Sequence, residues 1–153
     1  MFGFEYTIFF NLAMAMLLGM IIGAERLYAH KTASMRTYAL ASMGSALFVS
    51  IALFGAGQLS DIYPEINPFF MIAQIITGVG FLGAGLIIYK NDQLVGVTSA
   101  TGLWVSAGIG IACGFGMIKL ALMATLLVLF IFIVLWYIEQ KLKKIMPETQ
   151  KED

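Results

Sequence analysis

Apolar residues fill five stretches of the chain, 7–24, 37–54, 69–89, 95–114 and 117–138, and polar residues gather in the connections between them. Each stretch holds about 18 to 22 residues. At a rise of roughly 1.5 Å per residue, one such helix crosses a hydrocarbon core of about 30 Å. The pattern predicts an all-α fold: a polytopic membrane helical bundle of about five transmembrane helices over residues 1–140, followed by a short charged tail, 141–153, that frays after Ile138. The third and fifth stretches carry no charge except Lys119, at the start of the fifth. The fourth is rich in Gly, Ser, Thr and Ala and leaves two readings open. It is either a full span or a re-entrant segment, which is tolerated only where protein or water satisfies the backbone.

Composition strengthens the membrane reading. The chain has 153 residues, of which 60% are hydrophobic and 12% charged, about half the charged fraction of an ordinary soluble domain. A soluble fold of this size has nowhere to hide so much apolar surface, so the bilayer itself is the expected partner. The formal net charge is zero, and no basic excess points to nucleic acid. Residues 1–6 lack the basic region of a secretory signal, so the first stretch is expected to remain as a span.

Orientation is read from Lys and Arg in the short loops. Arg26, Lys31 and Arg36 lie in the first loop, Lys90 in the third, and Lys141, Lys143, Lys144 and Lys151 in the tail. Lys119 stands alone in the fourth connection. Five spans sort eight positive charges to one side and one to the other, which predicts an external N-terminus and a cytoplasmic C-terminus. Asp61, Pro64, Glu65 and Pro68 mark an external, weakly acidic turn.

Candidate chemistry is sparse. Cys113 is the only cysteine and His30 the only histidine, so neither a disulfide nor a thiolate metal site is available. Cys113 reads as a small buried hydrophobe and His30 as a solvated or structural loop residue. No set of nucleophile, histidine and acid is present, and neither a metal site nor a cofactor is expected; the chain reads as a non-enzyme.

Residues 77–85 read TGVGFLGAG, with the G-x-G-x-x-G spacing of a dinucleotide-binding turn at Gly78, Gly80 and Gly83. That motif needs a strand before it, a helix after it and an acid about 20 residues on. Here it sits inside an uncharged run, and the later segment, TSATGLW, has no acid. Read as a membrane helix at about 100° per residue, Gly78 and Gly85 share a face with Gln74, and Gly80 and Gly83 face the opposite way. Such a helix can sit between two close neighbours. Alternatively, its glycines break the helix and expose backbone groups near the midplane. Gly19 and Gly23 form a second small-residue stripe, extended backwards by Ala15 and Asn11, suited to packing within the chain or between copies.

Polar residues inside a bilayer are functional candidates by default. Here they are Asn11, Gln74, Thr77, Thr98, Ser99, Thr101 and Ser106, all neutral. Glu25, Arg26 and Arg36, with Thr37, lie at the charged ends of the first two spans. They read either as interfacial anchors or as a cluster that clamps helix ends around a vestibule. A cation at a helix N-terminus, as Arg36 would be, opposes the dipole.

Three ordered blocks carry a resemblance. GMIIGAERLYAHKTASMRTYALASMGSALF, AQIITGVGFLGAGLI and GVTSATGLWVSAGIGIACGFG resemble successive blocks of the MgtC/SapB family of bacterial inner-membrane proteins. The first carries the G-x-E-R … R-T pattern at Gly23, Glu25, Arg26, Arg36 and Thr37. The second runs from Gln74 to Gly85, and the third from Gly96 to Trp104. In the third block Val97, Ser99, Thr101 and Gly102 depart from the commoner family residues. The resemblance implies a multi-pass protein of the bacterial inner membrane linked to adaptation to low magnesium. Long members carry a soluble C-terminal domain, and the present chain is expected to be a short, membrane-only member.

Two functions follow as expectations. One is a non-catalytic membrane regulator that associates with itself or with another membrane protein through its glycine-lined faces. The other is a transporter or channel for Mg²⁺ or another small solute along a neutral polar path through Asn11, Gln74, Thr98 and Thr101. Mg²⁺ favours hard carboxylate oxygens and retains its waters, and no Asp or Glu lies deep in a span, Glu25 being nearest.

Overall fold

A computed structural model describes residues 2–31, 34–59, 67–90 and 92–145. Asp61, Pro64, Glu65 and Lys151, assigned above to the external turn and the tail, lie outside them.

The elements follow the apolar pattern. Helix α1 spans Phe2–Tyr28, α2 Met35–Leu59, α3 Phe69–Ala84 and α4 Val97–Gly114. Helix α5, Ile118–Phe130, passes through a π-helical stretch, Ile131–Leu135, into α6, Trp136–Ile145. The chain is an all-α membrane bundle. Four helical units, including the continuous rod Ile118–Ile145, are long and apolar enough to cross a bilayer; α3 is apolar but only 16 residues long.

Two sequence expectations, the end of the third segment and the fraying after Ile138, are corrected, and two open alternatives are decided. The third segment does not run to Tyr89: its helix ends at Ala84, and Ile88–Lys90 pairs antiparallel with Gln93–Val95, Tyr89 opposite Leu94. The glycines do not break α3, which continues through Gly78, Gly80 and Gly83. The fourth segment is one unbroken helix rather than a re-entrant loop. The charged stretch after Ile138 stays helical to Ile145, with Lys143 paired to Glu139 one turn away at 2.8 Å.

Two glycine turns set the frame of α4. Gly96, its N-cap, has φ +97°, and a Cβ there would come within 2.0 Å of the Leu86 carbonyl oxygen. Only glycine lets the hairpin fold back so tightly. Gly116 (φ +74°) ends the helix, with the amides of Gly116 and Met117 donating to the carbonyls of Cys113 and Ala112. This is the paired-bond left-handed cap that turns a chain sharply into its next helix.

The core lies where α1, α2 and α4 meet; α3 packs mainly on α4, and α5 on α4 and α1. Small residues allow the close approach. Added Cβ atoms would lie 2.5 Å from the Tyr38 carbonyl oxygen at Gly19, 2.6 Å from the Met35 Cα at Gly23, 2.0 Å from the Ser42 carbonyl oxygen at Gly110 and 2.7 Å from the Val49 Cβ at Gly114. Without a hydrophobic drive between helices in lipid, such backbone proximity supplies the van der Waals contact that holds them together. Buried Ser42, Ser45, Ser50, Ser99, Ser106 and Thr125 share this interior. Ser45, Ser50 and Thr125 donate to the carbonyl four residues back, which satisfies each hydroxyl without a partner helix.

Candidate functional site

The site is assembled at the end of the bundle where α1 finishes, α4 begins and the α5–α6 rod passes. Arg26 sits in the last turn of α1 and is only 4% exposed. Its Nε donates to the Glu25 carboxylate. Its guanidinium carbon lies 3.6 Å from the centroid of the Phe132 ring, inside the range of a cation–π contact. Phe132 is presented by the π-helical stretch, a distortion often found at functional positions. Gly102 leaves room for that ring: a Cβ there would meet Phe132 Cζ at 2.5 Å and Tyr38 Oη at 2.9 Å.

Tyr38 ties the second helix to this centre. Its side chain is fully buried, its hydroxyl donates to the Ser99 carbonyl at 2.8 Å, and its own carbonyl accepts from the Ser106 hydroxyl at 3.3 Å. One residue of α2 therefore clamps α4 at two levels, two turns apart. Ser42, a turn further along, is wholly buried between Gly19 and Gly110, and among the described residues its hydroxyl has no hydrogen-bond partner.

In front of Arg26 opens a recess of about 350 Å³ lined by Lys31, Thr98, Phe132, Trp136, Glu139, Gln140 and Lys143, among others. The end of α1 is shaped to deliver Lys31 there. His30 takes a left-handed conformation (φ 54°), and the amides of His30 and Lys31 donate to the carbonyls of Leu27 and Arg26. This is the same helix-closing turn that Gly116 makes, here with histidine in the glycine position.

The structure distributes the sequence candidates unevenly. Glu25, Arg26 and Thr98 come together around the recess. Arg36 does not join them. It is exposed and, with Thr37, lines a separate opening between the start of α2 and the end of α3, beside Leu82 and Gly85. Thr37 approaches the Ser34 hydroxyl at 3.5 Å. The described residues do not bring Asn11, Gln74 and Thr101 together. Asn11 is buried near the far end of α4, close to Gly116, whereas Gln74 and Thr101 are exposed and the Thr101 hydroxyl donates to the Val97 carbonyl.

The glycines divide in the same way. Gly19 and Gly23 are packing positions. In α3 the buried face is Ile75, Val79 and Gly83, and a Cβ on Gly83 would lie at ordinary contact, 3.7 Å, from that of Ala100. Among the described residues nothing lies within 4 Å of a Cβ added at Gly78 or Gly80, and Gly85 lies past the helix as its C-cap. Gln74 and Gly78, with Gly44 and Ser45 opposite, line an apolar groove of about 470 Å³ between α2 and α3. Among the described residues no group of three or more His, Cys, Asp or Glu is placed to hold a metal.

The family model described as MgtC family matches residues 12–141, which takes in Arg26, the α2 and α4 clamp, the glycine helix and Phe132. The chain belongs to the MgtC family. Among its MgtC-family relatives, "Protein MgtC" of Salmonella typhi is 39% identical over 142 residues, 93% of this chain and 58% of the relative. "Putative magnesium transporter YhiD" of Escherichia coli (strain K12) is 44% identical over 115 residues, 72% of this chain and 54% of the relative. The chain spans little more than half the length of these curated relatives. No solved structure matches it.

Sequence reasoning did not single out Tyr38, Gly110, Gly114 or Phe132, and named Gly102 only as a departure from the commoner family residues. Tyr38 carried a weak signal, as a phenol one residue from Thr37 in the first block. Phe132 carried none, being one aromatic in an apolar run, because its role depends on where the π stretch rotates it.

Proposed function

We propose that this MgtC-family chain is a non-catalytic regulator of the bacterial inner membrane. On this reading it is tied to magnesium limitation and acts by helix–helix association with a second copy of itself or with another membrane protein. The N-terminus lies outside and the C-terminus in the cytoplasm. The observation that carries the reading is the contrast between two sets of glycines. Gly19, Gly23, Gly110 and Gly114 bring α1, α2 and α4 to backbone contact in the centre of the bundle, whereas Gly78, on the groove between α2 and α3, and Gly80, nearly opposite it on the same helix, leave open space beside α3 among the described residues. A closed centre suits a regulator, and a smooth helix face in lipid suits a partner helix.

A second reading, transport, draws on the name of the Escherichia coli relative, "Putative magnesium transporter YhiD", and on Gln74 in the groove between α2 and α3. The two are separated with purified protein in liposomes. The expected result is no flux of Mg²⁺, protons or common anions above protein-free vesicles, with crosslinked dimers or co-purified partner lost in Gly78→Leu while the thermal unfolding of the chain is unchanged. Ion flux that disappears in Gln74→Leu would overturn the regulator reading in favour of transport.

A further inference from the structure

The recess beside Arg26 has the chemistry of an oxyanion site, and this observation is independent of the helix-association reading. Three cations, Arg26, Lys31 and Lys143, meet here with two carboxylates, Glu25 paired to Arg26 and Glu139 paired to Lys143, which leaves a net positive charge. Arg26 is the unusual member. A cation this deeply buried is costly unless it is paired and hydrogen-bonded. Glu25 takes only the Nε side of the fork. The terminal amino groups of the guanidinium, Nη1 and Nη2, have no hydrogen-bond partner among the described residues and are not among the chain's fully buried unpartnered atoms, and Arg26 lines the recess. Phe132 stacks on the guanidinium, which fixes its plane without using its N–H groups.

A second feature converges on the same space. Thr98 lies in the first turn of the 18-residue helix α4 and lines the recess. The unsatisfied amides and positive dipole end of a helix N-terminus favour a bound anion. A fork of free N–H groups, a helix start and two lysines at the rim are complementary to the oxygens of a phosphoryl group. The remaining wall is largely apolar: Ile131, Leu135 and Trp136 line it and are each about half exposed. Trp is favoured at the level of lipid headgroups.

We infer that this recess binds a phosphate oxyanion, held by the free face of the Arg26 guanidinium, with Lys31, Lys143 and the start of α4 around it. The shared chemistry is a phosphoryl group, supplied either by the headgroup of an anionic phospholipid or by free phosphate. Glu25 is a positioning residue: by occupying Nε it turns the other guanidinium N–H groups toward the recess.

The test uses the full chain in nanodiscs or detergent at matched ionic strength. Thermal unfolding and a binding titration are followed with phosphatidylglycerol, with phosphatidylcholine as the neutral control, and with inorganic phosphate. Saturable stabilisation by phosphatidylglycerol that inorganic phosphate does not displace assigns the site to a lipid headgroup. Saturation by inorganic phosphate alone assigns it to the free ion. Lys31→Gln and Lys143→Gln should each weaken binding roughly fivefold, the order expected for one basic residue near an anionic surface, and Lys90→Gln, on the exposed hairpin, should leave it unchanged. Arg26→Gln should abolish binding; should that variant fail to fold, the two lysine variants at the rim carry the test. The proposal is overturned if neither probe stabilises the wild-type chain above the neutral control, or if Lys90→Gln weakens binding as much as Lys31→Gln does.

Discussion

Ser42 shows how small side chains govern this molecule. Its neighbours Gly19 and Gly110 admit it to a tight part of the bundle, and its hydroxyl has no partner there among the described residues. A buried unsatisfied hydroxyl costs on the order of 1–3 kcal/mol, and alanine fits the same space. Ser42→Ala is therefore expected to raise unfolding stability by about 1 kcal/mol, measured by thermal unfolding in detergent; a loss of stability would mean that the hydroxyl has a partner in the membrane. Gly110 gives the opposite case. A Cβ at that position would enter the Ser42 carbonyl, whereas at Gly108, two residues away, it would meet nothing within 4 Å. Gly110→Ala should cost roughly 1–3 kcal/mol through forced separation of α2 and α4, and Gly108→Ala should be neutral or slightly stabilising, since alanine is the better helix former. Equal effects in the two variants would refute the close approach.

At the scale of elements, the sequence disclosed helices more readily than their partners. The spans were legible because a run of about 20 apolar residues has few other uses. The end of the third was missed because Ile87, Ile88 and Tyr89 are as apolar as the helix before them, while what stops that helix is the fold-back of Gly96 onto Leu86. The faces of α3 were harder still. Spacing put glycines on both sides, and only the position of α4 makes Gly83 buried while Gly78 and Gly80 stay open. The charged cluster was half legible. Arg26 lines the recess and is paired with Glu25, but Arg36 turns away at the start of α2, which their separation in sequence does not reveal. The partner of Arg26 lies more than a hundred residues downstream, in a segment with no polar mark. Phe132→Leu should keep the apolar volume but lose the ring, lowering stability by about 0.5–2 kcal/mol. If Arg26→Gln removes the same increment in the Phe132→Leu background as in the wild type, the two do not interact.

Most of the basic charge of the described residues gathers at one end of the molecule. Arg26, Lys31, Glu139 and Lys143 meet there although they come from the two ends of the chain, whereas Lys119 begins α5 at the other end of that rod. A positive-inside protein with this arrangement should expose its hairpin and recess to the cytoplasm. With buried Cys113 replaced by alanine, a cysteine introduced at Asp92 should resist a membrane-impermeant thiol reagent in intact cells, and one introduced at Lys119 should react; the reverse pattern would invert the orientation.

The π stretch in the last rod has a consequence for how this end can change over time. A π turn is in effect one residue inserted into an α-helix, and it advances the angular phase of everything after it by about 100°. Trp136, Glu139, Gln140 and Lys143 follow Ile131–Leu135, so their facing toward Arg26 is set by that one-residue offset rather than by their own identities. Deleting a single apolar residue there would leave hydropathy and span length almost untouched while swinging the whole wall to another side of the rod. Insertions and deletions in this apolar run act as a rotary dial on the recess, and a variant altered only in length could lose the site with every one of its polar residues still present.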